Sequence, residues 1–387
     1  MKLRHLTSEI VKDKIIVVRE DFNVPIKDGK VSETTRIEES LPTLQFLLQN
    51  NVQRIHLLTH IGRPKNGYDP FLSTKNLVPI LEQFLGKKVE FRPDFTSGTE
   101  QIQIHENTRF WPEEKKGDSV FIKGIYQNLK PDLFINDGFA VSHRAEASVV
   151  GLAKYVPAYP GFLVEKEIKA LSPFLTLTKI PGLTTIISGV KMETKIPVLE
   201  HFVKISENVL LGGCIANTFL AAEGNNIGES ILEPEFFETA KNISKIAKEN
   251  NIGLHLPVDA ICAEEIESQD VEALPIDDIQ GKLKIFDIGL LTIKSYSEIL
   301  QHSKIVIWNG PLGVLEQENF SNGTKAILMI LKSLKSAQTI IGGGDTIKAL
   351  KKWNVSKSEF THVSTGGGAM LEFLEGKDLP GIKILEA

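Results

Sequence analysis

The stretch KIIVVREDFNVP, residues 14–25, joins a run of β-branched residues to a polar loop that ends in proline. β-Branched residues favour strands, and a proline fixes the turn that follows. The same order, an apolar run and then a polar or glycine-rich loop, recurs along the chain, with segments of helical periodicity between the runs. Strands that alternate with helices are typical of parallel sheets covered by helices, so the sequence predicts an α/β protein.

The spacing of apolar residues places the remaining elements. Strands are predicted at residues 14–19, 54–59, 102–105, 132–136, 184–188, 207–211, 254–258, 304–308, 339–341 and 361–364. Helices are predicted at residues 36–50, 74–85, 195–205, 215–223, 235–249, 318–334 and 368–375. In the first of these helices, apolar residues recur at intervals of three and four, as one buried helix face requires.

A break near the middle divides this pattern into two halves. A chain of 387 residues exceeds one ordinary hydrophobic core, and its length predicts two domains. The segment YVPAYPG, residues 155–161, contains two prolines and a glycine, which interrupt regular structure. We therefore place the domain boundary at residue 160 and expect the amphipathic segment after it to form a connecting helix.

Composition argues against several classes of protein. The content of 42% hydrophobic and 24% charged residues is that of a soluble globular protein, and the net charge of -5 argues against a general nucleic-acid or membrane surface. Cys214 and Cys262 lie 48 positions apart without a CxxC pair, so neither a disulfide framework nor a zinc site is predicted. No leader-like segment or long apolar run occurs, so we expect a cytoplasmic protein.

The use of arginine is the best sequence clue to function. The chain has eight arginines, all before residue 145, and lysine supplies every basic position after that. A retained arginine indicates a need for a planar guanidinium that makes two parallel hydrogen bonds. Arg36, Arg63, Arg109 and Arg144 stand beside turn residues and predict an anion pocket, whereas Arg4, Arg54 and Arg92 are interpreted as ordinary charges.

Polar loops follow all four predicted strands of the first half. These loops are residues 21–25, 60–64, 106–110 and 136–144. A single polar loop at a strand end is usual, but four in succession indicate a ligand site, because ligands of doubly wound sheets bind beyond the carboxyl ends of the strands. His60 is the stronger functional candidate, His143 stays open, and Asp21 and Asn23 could also cap turns.

The second half has glycine-rich loops at its strand ends. They read Ser188-Gly189-Val190-Lys191, Gly212-Gly213, WNGPLG at 308–313, GGGDT at 342–346 and STGGG at 364–368. Glycines before a helix let backbone N–H groups and the helix dipole approach a phosphate, although close packing of helix on strand also selects glycine. Two triple-glycine runs together with WNGPLG predict a nucleotide site.

Two side-chain features support this nucleotide site. Asp345 is either a helix cap or a magnesium ligand, since its carboxylate suits a hard cation. Lys191 and Lys195 are four positions apart, so we expect them to share one face at the start of a helix, where only a bound polyphosphate would offset their conflict with the helix dipole. No GxxxxGK[ST] motif occurs and no GxGxxG follows the first strand, which excludes a Walker-type NTPase and weakens a nicotinamide-dependent dehydrogenase.

Seven motifs in order, DFNVP, HIGRP, ENTRF, HRA, WNGPLG, GGGDT and STGGGA, span nearly the whole chain and resemble those of the phosphoglycerate kinase family. The resemblance implies two Rossmann-like domains, each a mainly parallel sheet flanked by helices, joined by a connecting helix. Residues 1–160 would bind 3-phosphoglycerate, residues 161–373 would include the connecting helix and bind the nucleotide, and the tail 374–387 would return to the first domain. The implied reaction is reversible phosphoryl transfer between 1,3-bisphosphoglycerate and MgADP, which gives 3-phosphoglycerate and MgATP, in glycolysis and gluconeogenesis.

The resemblance also implies a role for individual residues. Those implied to bind the acceptor are Asp21, Asn23 and Arg36, which orient its carboxylate and hydroxyl, and His60, Arg63, Arg109 and Arg144, which hold its 3-phosphate. Those implied to bind the nucleotide are Lys191, Lys195, Gly213, Asn309, Leu312, Glu316, Gly343, Gly344, Asp345 and Thr346, with Asp345 on Mg²⁺. Those implied to act in the transfer are Arg36, Lys191, Gly344 and Gly367, and the family suggests a monomer without nucleic-acid or membrane partners.

Several positions depart from the family pattern. The loop usually written GGAKVSDK reads SGVKMETK at residues 188–195, and the usual HRAH ends in Glu146. Glu20 replaces an apolar residue and Cys214 stands where glycine is common. These changes motivate an alternative, a catalytically silent relative that binds phosphorylated ligands, although Arg36, Lys191 and Asp345 are all retained.

Overall fold

The computed structural model describes residues 2–27, 29–65 and 67–387. Its contacts divide the chain into two compact units. The first unit runs to Ser172 and also includes Gly376–Ala387, and the second unit is Pro173–Glu375. None of the helices in the described residues is long and apolar enough to cross a membrane.

The first unit is an α/β layer structure built on one six-stranded sheet. Its helices are α1 (Ser8–Val11), α2 (Thr35–Gln49), α3 (Val78–Leu85), α4 (Pro112–Lys116), α5 (Ser119–Leu129), α6 (Ala147–Val150) and α7 (Phe162–Leu171). Its strands are β1 (Ile15–Arg19), β2 (Ile26–Lys27), β3 (Lys30–Val31), β4 (Arg54–Leu58), β5 (Val89–Arg92), β6 (Ile102–His105), β7 (Leu133–Asn136) and β8 (Ala158–Pro160). The sheet order is β5-β6-β4-β1-β7-β8, every pairing in it is parallel, and β2 and β3 form a separate hairpin.

Burial explains why these runs form central strands. The side chains of Ile16, Val17 and Val18 in β1 are fully buried, as a strand covered on both faces requires. Residues 132–136 and 14–19 were predicted as strands from the same continuous apolar character, and they pair directly as β7 and β1. The sheet therefore places the ends of β1, β4, β6 and β7 side by side along one edge.

The second unit contains a six-stranded parallel sheet and a smaller antiparallel one. Its helices are α8 (Ile196–Ile205), α9 (Gly213–Ala222), α10 (Phe237–Glu249), α11 (Leu290–Gln301), α12 (Asn322–Ser333), α13 (Gly344–Lys352) and α14 (Gly367–Leu374). Its strands are β9 (Leu183–Ile187), β10 (Asn208–Leu211), β11 (Gly253–His255), β12 (Asp259–Ala263), β13 (Glu272–Pro275), β14 (Lys284–Ile288), β15 (Ile305–Asn309), β16 (Gln338–Gly342) and β17 (His362–Val363). The orders are β11-β10-β9-β15-β16-β17 for the parallel sheet and β13-β12-β14 for the antiparallel one. The predicted fold class, two α/β units with parallel sheets, is confirmed.

The segment after the proline-rich break lies in the first unit. The ring of Phe162 in α7 lies 5.0 Å from that of Phe46 in α2, and the backbone N–H of Phe162 donates to Thr43 Oγ1 at 2.8 Å. These contacts place α7 with the first unit, so the chain divides after Ser172, whereas the sequence analysis placed its boundary at residue 160.

The C-terminal residues also belong to the first unit. They form a final helix, α15 (Pro380–Lys383), whose Gly381 donates its N–H to Ser142 O at 2.8 Å and accepts from Asn136 Nδ2 at 2.8 Å. A Cβ at Gly381 would lie 2.8 Å from Cα of Ser142, so only glycine allows this close approach. Asn136 is the last residue of β7, so the tail is tied to the edge where the polar loops emerge.

The antiparallel sheet was not predicted. Its outer strand β13 is mostly exposed, and β12 and β14 each contain at least one charged residue, so these strands lack the continuous apolar run that identified the parallel strands. The sequence analysis also missed the edge strand β5, and it missed the edge strand β8 because residues 155–161 were interpreted as a break.

Candidate active site

The acceptor residues expected from the sequence lie along one edge of the first unit's sheet. Each follows the carboxyl end of a central strand or begins the helix after it. The members are Asp21, Asn23, Arg36, His60, Arg63, Arg109 and Arg144. Arg36 is the second residue of α2, and its Nη1 donates a hydrogen bond to Asp21 Oδ2. The loop after β1 and the start of α2 are therefore linked by an ion pair.

Hydrogen bonds to Gly62 fix the loop after β4. Its N–H donates to Asn23 Oδ1 at 2.8 Å, and its carbonyl accepts from Arg109 Nη1 at 3.1 Å. Gly62 has φ of +63°, a conformation that favours glycine, which explains the glycine in HIGRP. One glycine thus positions side chains from the loops after β1 and β6.

Arg19 is a functional candidate that the sequence analysis missed. It is the last residue of β1 and is fully buried. Its Nε donates to Ser148 Oγ at 2.8 Å, its Nη1 donates to the carbonyl of Glu20, and its Nη2 lies 3.3 Å from His60 Nδ1. Because this chain uses lysine at most basic positions, the presence of an arginine at position 19 was a usable signal. Arg19 was overlooked because it ends a predicted strand and does not lie in a loop.

His60 is neutral and its tautomer is defined. Burial and the positive charges of four arginines lower the pKa of His60 well below its ordinary value; these are Arg19, Arg109, Arg144 and Arg36. A guanidinium can only donate, so the contact from Arg19 makes Nδ1 of His60 the acceptor and leaves the proton on Nε2. His60 can therefore donate a hydrogen bond to an anion without adding charge.

Arg63, Arg109 and Arg144 open onto a basic cleft of about 400 Å³, which neither Arg19 nor Arg36 lines. The residues that line this basic cleft are Arg63, Arg109, Lys115, Lys116, Arg144, Ala145 and Glu146. Lys115 and Lys116 belong to α4 and were not predicted, because lysines are spread through the chain and gave no signal. His143, left open by the sequence, accepts at Nε2 from Arg144 Nε at 3.1 Å. The cleft combines five cations with a single carboxylate.

A second cleft, in the second unit, gathers the glycine-rich loops at the ends of β9, β15 and β16. The residues that line this glycine-rich cleft are Ser188, Gly189, Val190, Lys191, Thr194, Lys195, Asn309, Gly310, Pro311, Gly343, Gly344, Asp345, Thr346, Gly367, Gly368 and Leu371. The helices α13 and α14 begin in it, at Gly344 and Gly367. Backbone N–H groups at helix starts and positive helix dipoles suit a phosphate chain.

Lys195 is the buried cation of the glycine-rich cleft. Its Nζ donates to Asn309 Oδ1, and burial lowers the pKa of Lys195 to about 8 although Asp345 and Glu375 act in the opposite direction. Asn309 Nδ2 is buried and has no hydrogen-bond partner within the described residues. A phosphate oxygen could accept from that amide and from Lys195 together.

The prediction that Lys191 and Lys195 share a helix face is wrong. The helix α8 begins at Ile196, so Lys195 is its N-cap and Lys191 lies in the loop before it. Pro197 fits this start, because a proline is well tolerated in the first turn of a helix, where its missing N–H would have no partner within the helix. Both lysines still line the same cleft, with Lys191 exposed and Lys195 buried.

The WNGPLG turn is braced by buried groups. Gly310 donates its N–H to Thr346 Oγ1 at 2.9 Å, and a Cβ at Gly310, where φ is +97°, would lie 2.0 Å from Ser188 O. Thr346 is fully buried, so its hydroxyl supports the turn. Ser188, which departs from the family's glycine, donates from Oγ to Pro311 O at 2.5 Å and ties the same turn to the end of β9.

Asp345 faces solvent in the glycine-rich cleft. Its side chain is 63% exposed, and Oδ1 accepts from Lys348 Nζ at 2.6 Å. The N-cap position of α13 is Gly343, and no side-chain capping hydrogen bond is made there within the described residues, so Asp345 does not serve as the helix cap. The carboxylate is therefore accessible to a ligand.

An apolar cavity of about 270 Å³ adjoins these loops. Gly213 and Leu312, both expected to contact the nucleotide, line it, and the antiparallel sheet contributes Ile285 and Phe286. Glu316 is exposed and is absent from the described lining of this cavity and of the glycine-rich cleft. Nine of the ten residues predicted to bind the nucleotide thus line the glycine-rich cleft or the apolar cavity, and Glu316 lines neither.

Comparison with known proteins decides the family. The model of the family described as phosphoglycerate kinase matches residues 6–377. The chain belongs to the phosphoglycerate kinase family. The resemblance found in the sequence is thus confirmed, and family membership identifies the chain as a kinase, so phosphoryl transfer is its class of chemistry.

Relatives and solved structures agree with that assignment. The phosphoglycerate kinase of Finegoldia magna is 42% identical over 389 residues, with 97% of each chain covered, and that of Francisella philomiragia is 41% identical over 97% of this chain and 96% of its own. The structure of phosphoglycerate kinase from Coxiella burnetii matches with a TM-score of 0.87 at 38% identity, covering 97% of this chain and 96% of its own. The catalytically silent alternative gains no support from these phosphoglycerate kinases.

Proposed function

We propose that this chain catalyses reversible phosphoryl transfer from 1,3-bisphosphoglycerate to MgADP, which gives 3-phosphoglycerate and MgATP. The observation that best supports this reaction is the basic cleft, which is lined by Arg63, Arg109 and Arg144 from the loops after three strands of one sheet. An acceptor with a phosphate and a carboxylate needs such a set of planar donors. The acceptor group of the reverse reaction is then a carboxylate.

The first unit would hold the glycerate ligand. Arg63, Arg109, Arg144 and the Nε2–H of His60 would donate to the 3-phosphate, and Arg36 with its partner Asp21 would orient the carboxylate and hydroxyl. The contact between Arg36 and Asp21 supports these separate roles for the two groups of residues. Asp21 holds the Arg36 guanidinium at the end of β1, and the side chain of Arg36 remains one-third exposed, so it is accessible to a ligand. In the transfer, Arg36 would stabilise charge on the moving phosphoryl group.

The second unit would hold the nucleotide. Lys195 and Asn309 would contact the phosphate chain, and Gly343, Gly344 and Gly367 would offer backbone N–H groups at or beside the starts of α13 and α14. Lys191, which is exposed in the same cleft, would neutralise charge on the transferring group. The apolar cavity beside Gly213 and Leu312 suits an adenine ring, because it is lined mainly by aliphatic and aromatic side chains.

Magnesium fits this donor set. The described residues contain no cluster of three or more His, Cys, Asp or Glu side chains that could hold a metal ion. A magnesium ion that is bound together with a nucleotide needs only one or two carboxylates, because phosphates and waters complete its coordination. Asp345 is an accessible carboxylate in the glycine-rich cleft and would hold the ion. When bound, the ion would neutralise phosphate charge and so ease the transfer.

No general base is required by this mechanism. The attacking group of 3-phosphoglycerate is a carboxylate, which is ionised at neutral pH. The protein then supplies position and charge stabilisation, and catalysis depends on bringing the two ligands together with water excluded. His60, whose Nδ1 lies 3.3 Å from Arg19 Nη2, is neutral and can act only as a hydrogen-bond donor to the ligand, which is consistent with such a role.

A coupled assay tests the proposal. Purified protein is mixed with 3-phosphoglycerate, MgATP and an enzyme pair that reports 1,3-bisphosphoglycerate. We expect turnover that requires both substrates and Mg²⁺ and that EDTA abolishes. Binding of MgADP without any turnover would contradict the proposed reaction.

We also propose that the enzyme acts in the cytoplasm as a monomer. Cys214 and Cys262 are both free, which suits a reducing compartment. Sedimentation equilibrium at several concentrations tests the monomer, and fractionation of cells tests the compartment.

A further inference from the structure

The basic cleft contains an anion of its own. Glu146 Oε1 accepts from Arg109 Nη2 at 2.9 Å and from Arg144 Nη1 at 3.4 Å, and Oε2 lies 4.0 Å from Arg19 Nη2. The side chain is nearly buried, and burial opposes its charge, but Arg109, Arg19 and Arg144 together hold the pKa of Glu146 below its ordinary value. The carboxylate is therefore ionised at the place where an incoming phosphate would be recognised.

Contacts within the protein already use hydrogen-bond donors of Arg109, and Glu146 accepts from one of them. The side chain of Arg109 is only 3% exposed, its Nη1 is bonded to Gly62 O, and its Nη2 is bonded to Glu146. The remaining Nε is buried and has no hydrogen-bond partner among the residues described. Glu146 therefore occupies one of the donors that Arg109 could direct at a ligand, and a phosphate that binds at Nη2 competes with the Glu146 carboxylate.

The side chain of Glu146 is not needed to build the local fold. Its backbone carbonyl begins α6 by accepting from Val149 N at 3.0 Å, and its side chain makes no capping bond there. Ser148 anchors the helix instead, since its N–H donates to Glu114 Oε2 at 2.9 Å and its Oγ accepts from Arg19. The contacts of the Glu146 carboxylate are thus with the arginines of the cleft.

We propose that Glu146 is an internal competitor for the acceptor's phosphate, which sets how tightly the basic cleft binds 3-phosphoglycerate. A carboxylate and a phosphate are both oxyanions that the same guanidinium fork recognises, and two negative charges in one cleft repel each other. This inference rests on the proposed function. Because the phosphate held in the cleft is not the one transferred, Glu146 affects ground state and transition state alike, and KM changes while kcat does not.

Two uncharged variants test the competition. Glu146→Gln keeps the shape and one acceptor for Arg109, and Glu146→Ser places a favoured N-cap residue at the start of α6, so the two variants affect stability differently. In both, calorimetric titration with 3-phosphoglycerate and with inorganic phosphate should give dissociation constants about five- to tenfold lower than in the wild type, the size expected for removing one nearby charge. The KM for 3-phosphoglycerate should fall in parallel, with kcat within twofold.

Two controls separate charge from shape and from general effects. Glu146→Asp keeps the charge and should gain less affinity than either uncharged variant. Glu90→Gln removes another carboxylate of the first unit that is paired with an arginine, Arg92 at 3.3 Å, but lies outside the lining of the basic cleft, and it should leave phosphate binding unchanged. A wild-type protein without turnover would refute the proposed function, whereas the titration with inorganic phosphate still tests Glu146. Unchanged or weaker binding in both uncharged variants would overturn the inference and make Glu146 a residue that positions the arginines.

Discussion

Arg19 Nη2 lies 3.3 Å from His60 Nδ1, so a buried cation at the end of β1 sets the tautomer of an imidazole in the loop after β4. The contact joins residues 41 positions apart and depends on the pairing of β1 with β4. It gives His60 an Nε2–H that can donate to an anion, and it connects the stability of the sheet edge to the recognition of the acceptor.

We expect Arg19→Lys to damage both stability and binding. A lysine cannot bond Ser148, the Glu20 carbonyl and His60 at once, so the free energy of unfolding should fall by about 2–4 kcal/mol. Denaturation in urea measures this loss, and the KM for 3-phosphoglycerate should rise because His60 is no longer held. Arg92→Lys, at a partly exposed ion pair with Glu90, is the matched control and should cost no more than about 1 kcal/mol. Equal stability of the two variants would refute the role of Arg19.

Lys195 predicts a pH dependence for nucleotide binding. Its pKa of about 8 means that the ammonium loses its proton as the pH rises from 7 to 9. Since the protonated form binds phosphate, the dissociation constant for MgADP should increase by about tenfold over that range. Lys195→Arg keeps its charge at all these pH values and should remove the dependence. Calorimetric titration with MgADP at pH 7, 8 and 9 measures the dissociation constant for both proteins. A wild-type dissociation constant that does not change with pH would contradict the lowered pKa of Lys195 or its contact with the nucleotide.

Lys191→Ala should affect turnover far more than binding. The side chain is exposed in the glycine-rich cleft, and its charge matters most when negative charge redistributes during transfer. We expect kcat to fall by about 100- to 1,000-fold, as for the loss of one charge-stabilising group, while the KM values change by less than about threefold. Lys204→Ala, in the last turn of α8, is the control for a lost lysine. A parallel loss in kcat and in affinity would assign Lys191 to ground-state binding instead.

His56 should contribute to the acid sensitivity of the fold. Burial, with smaller effects of His105 and Arg54, lowers the pKa of His56 to about 2, and its Nδ1 lies 3.0 Å from His105 Nε2. The unfolded chain therefore binds more protons than the folded one below pH 6.5, and stability falls as the pH decreases from that value. His56→Gln should reduce the slope of the unfolding free energy between pH 4.5 and 6 by about 1.4 kcal/mol per pH unit.

Urea denaturation across that pH range measures the slope for wild type and variant. His302→Gln, at an exposed position, is the control for a lost histidine. Buried carboxyls oppose the trend: burial raises the pKa of Asp287 to about 7, so its share of stability is present at low pH and is lost as the pH rises. Comparing each variant with the wild type cancels this background. An unchanged slope in His56→Gln would show that another group causes the acid sensitivity.

Sequence alone determined the α/β class, most central strands and the order of the loops at their ends. These features depend on local patterns, since a buried parallel strand needs a continuous apolar run and a tight strand-to-helix turn needs glycine or proline. The residues proposed to hold the ligands follow from this, because strands of a parallel sheet all present their carboxyl ends at one edge.

Only the tertiary structure decided how the charges in those loops combine. Arg19 reaches Ser148 across 129 positions, and Glu146 meets Arg109 across 37, and no local pattern gives either distance. The sequence singled out Lys195 as a nucleotide-binding candidate, but only packing buries it beside Asn309 and lowers its pKa. The pairing of distant residues and the removal of water from side chains both depend on how the elements pack. The charges and pKa values in the two clefts could therefore not be predicted from the sequence.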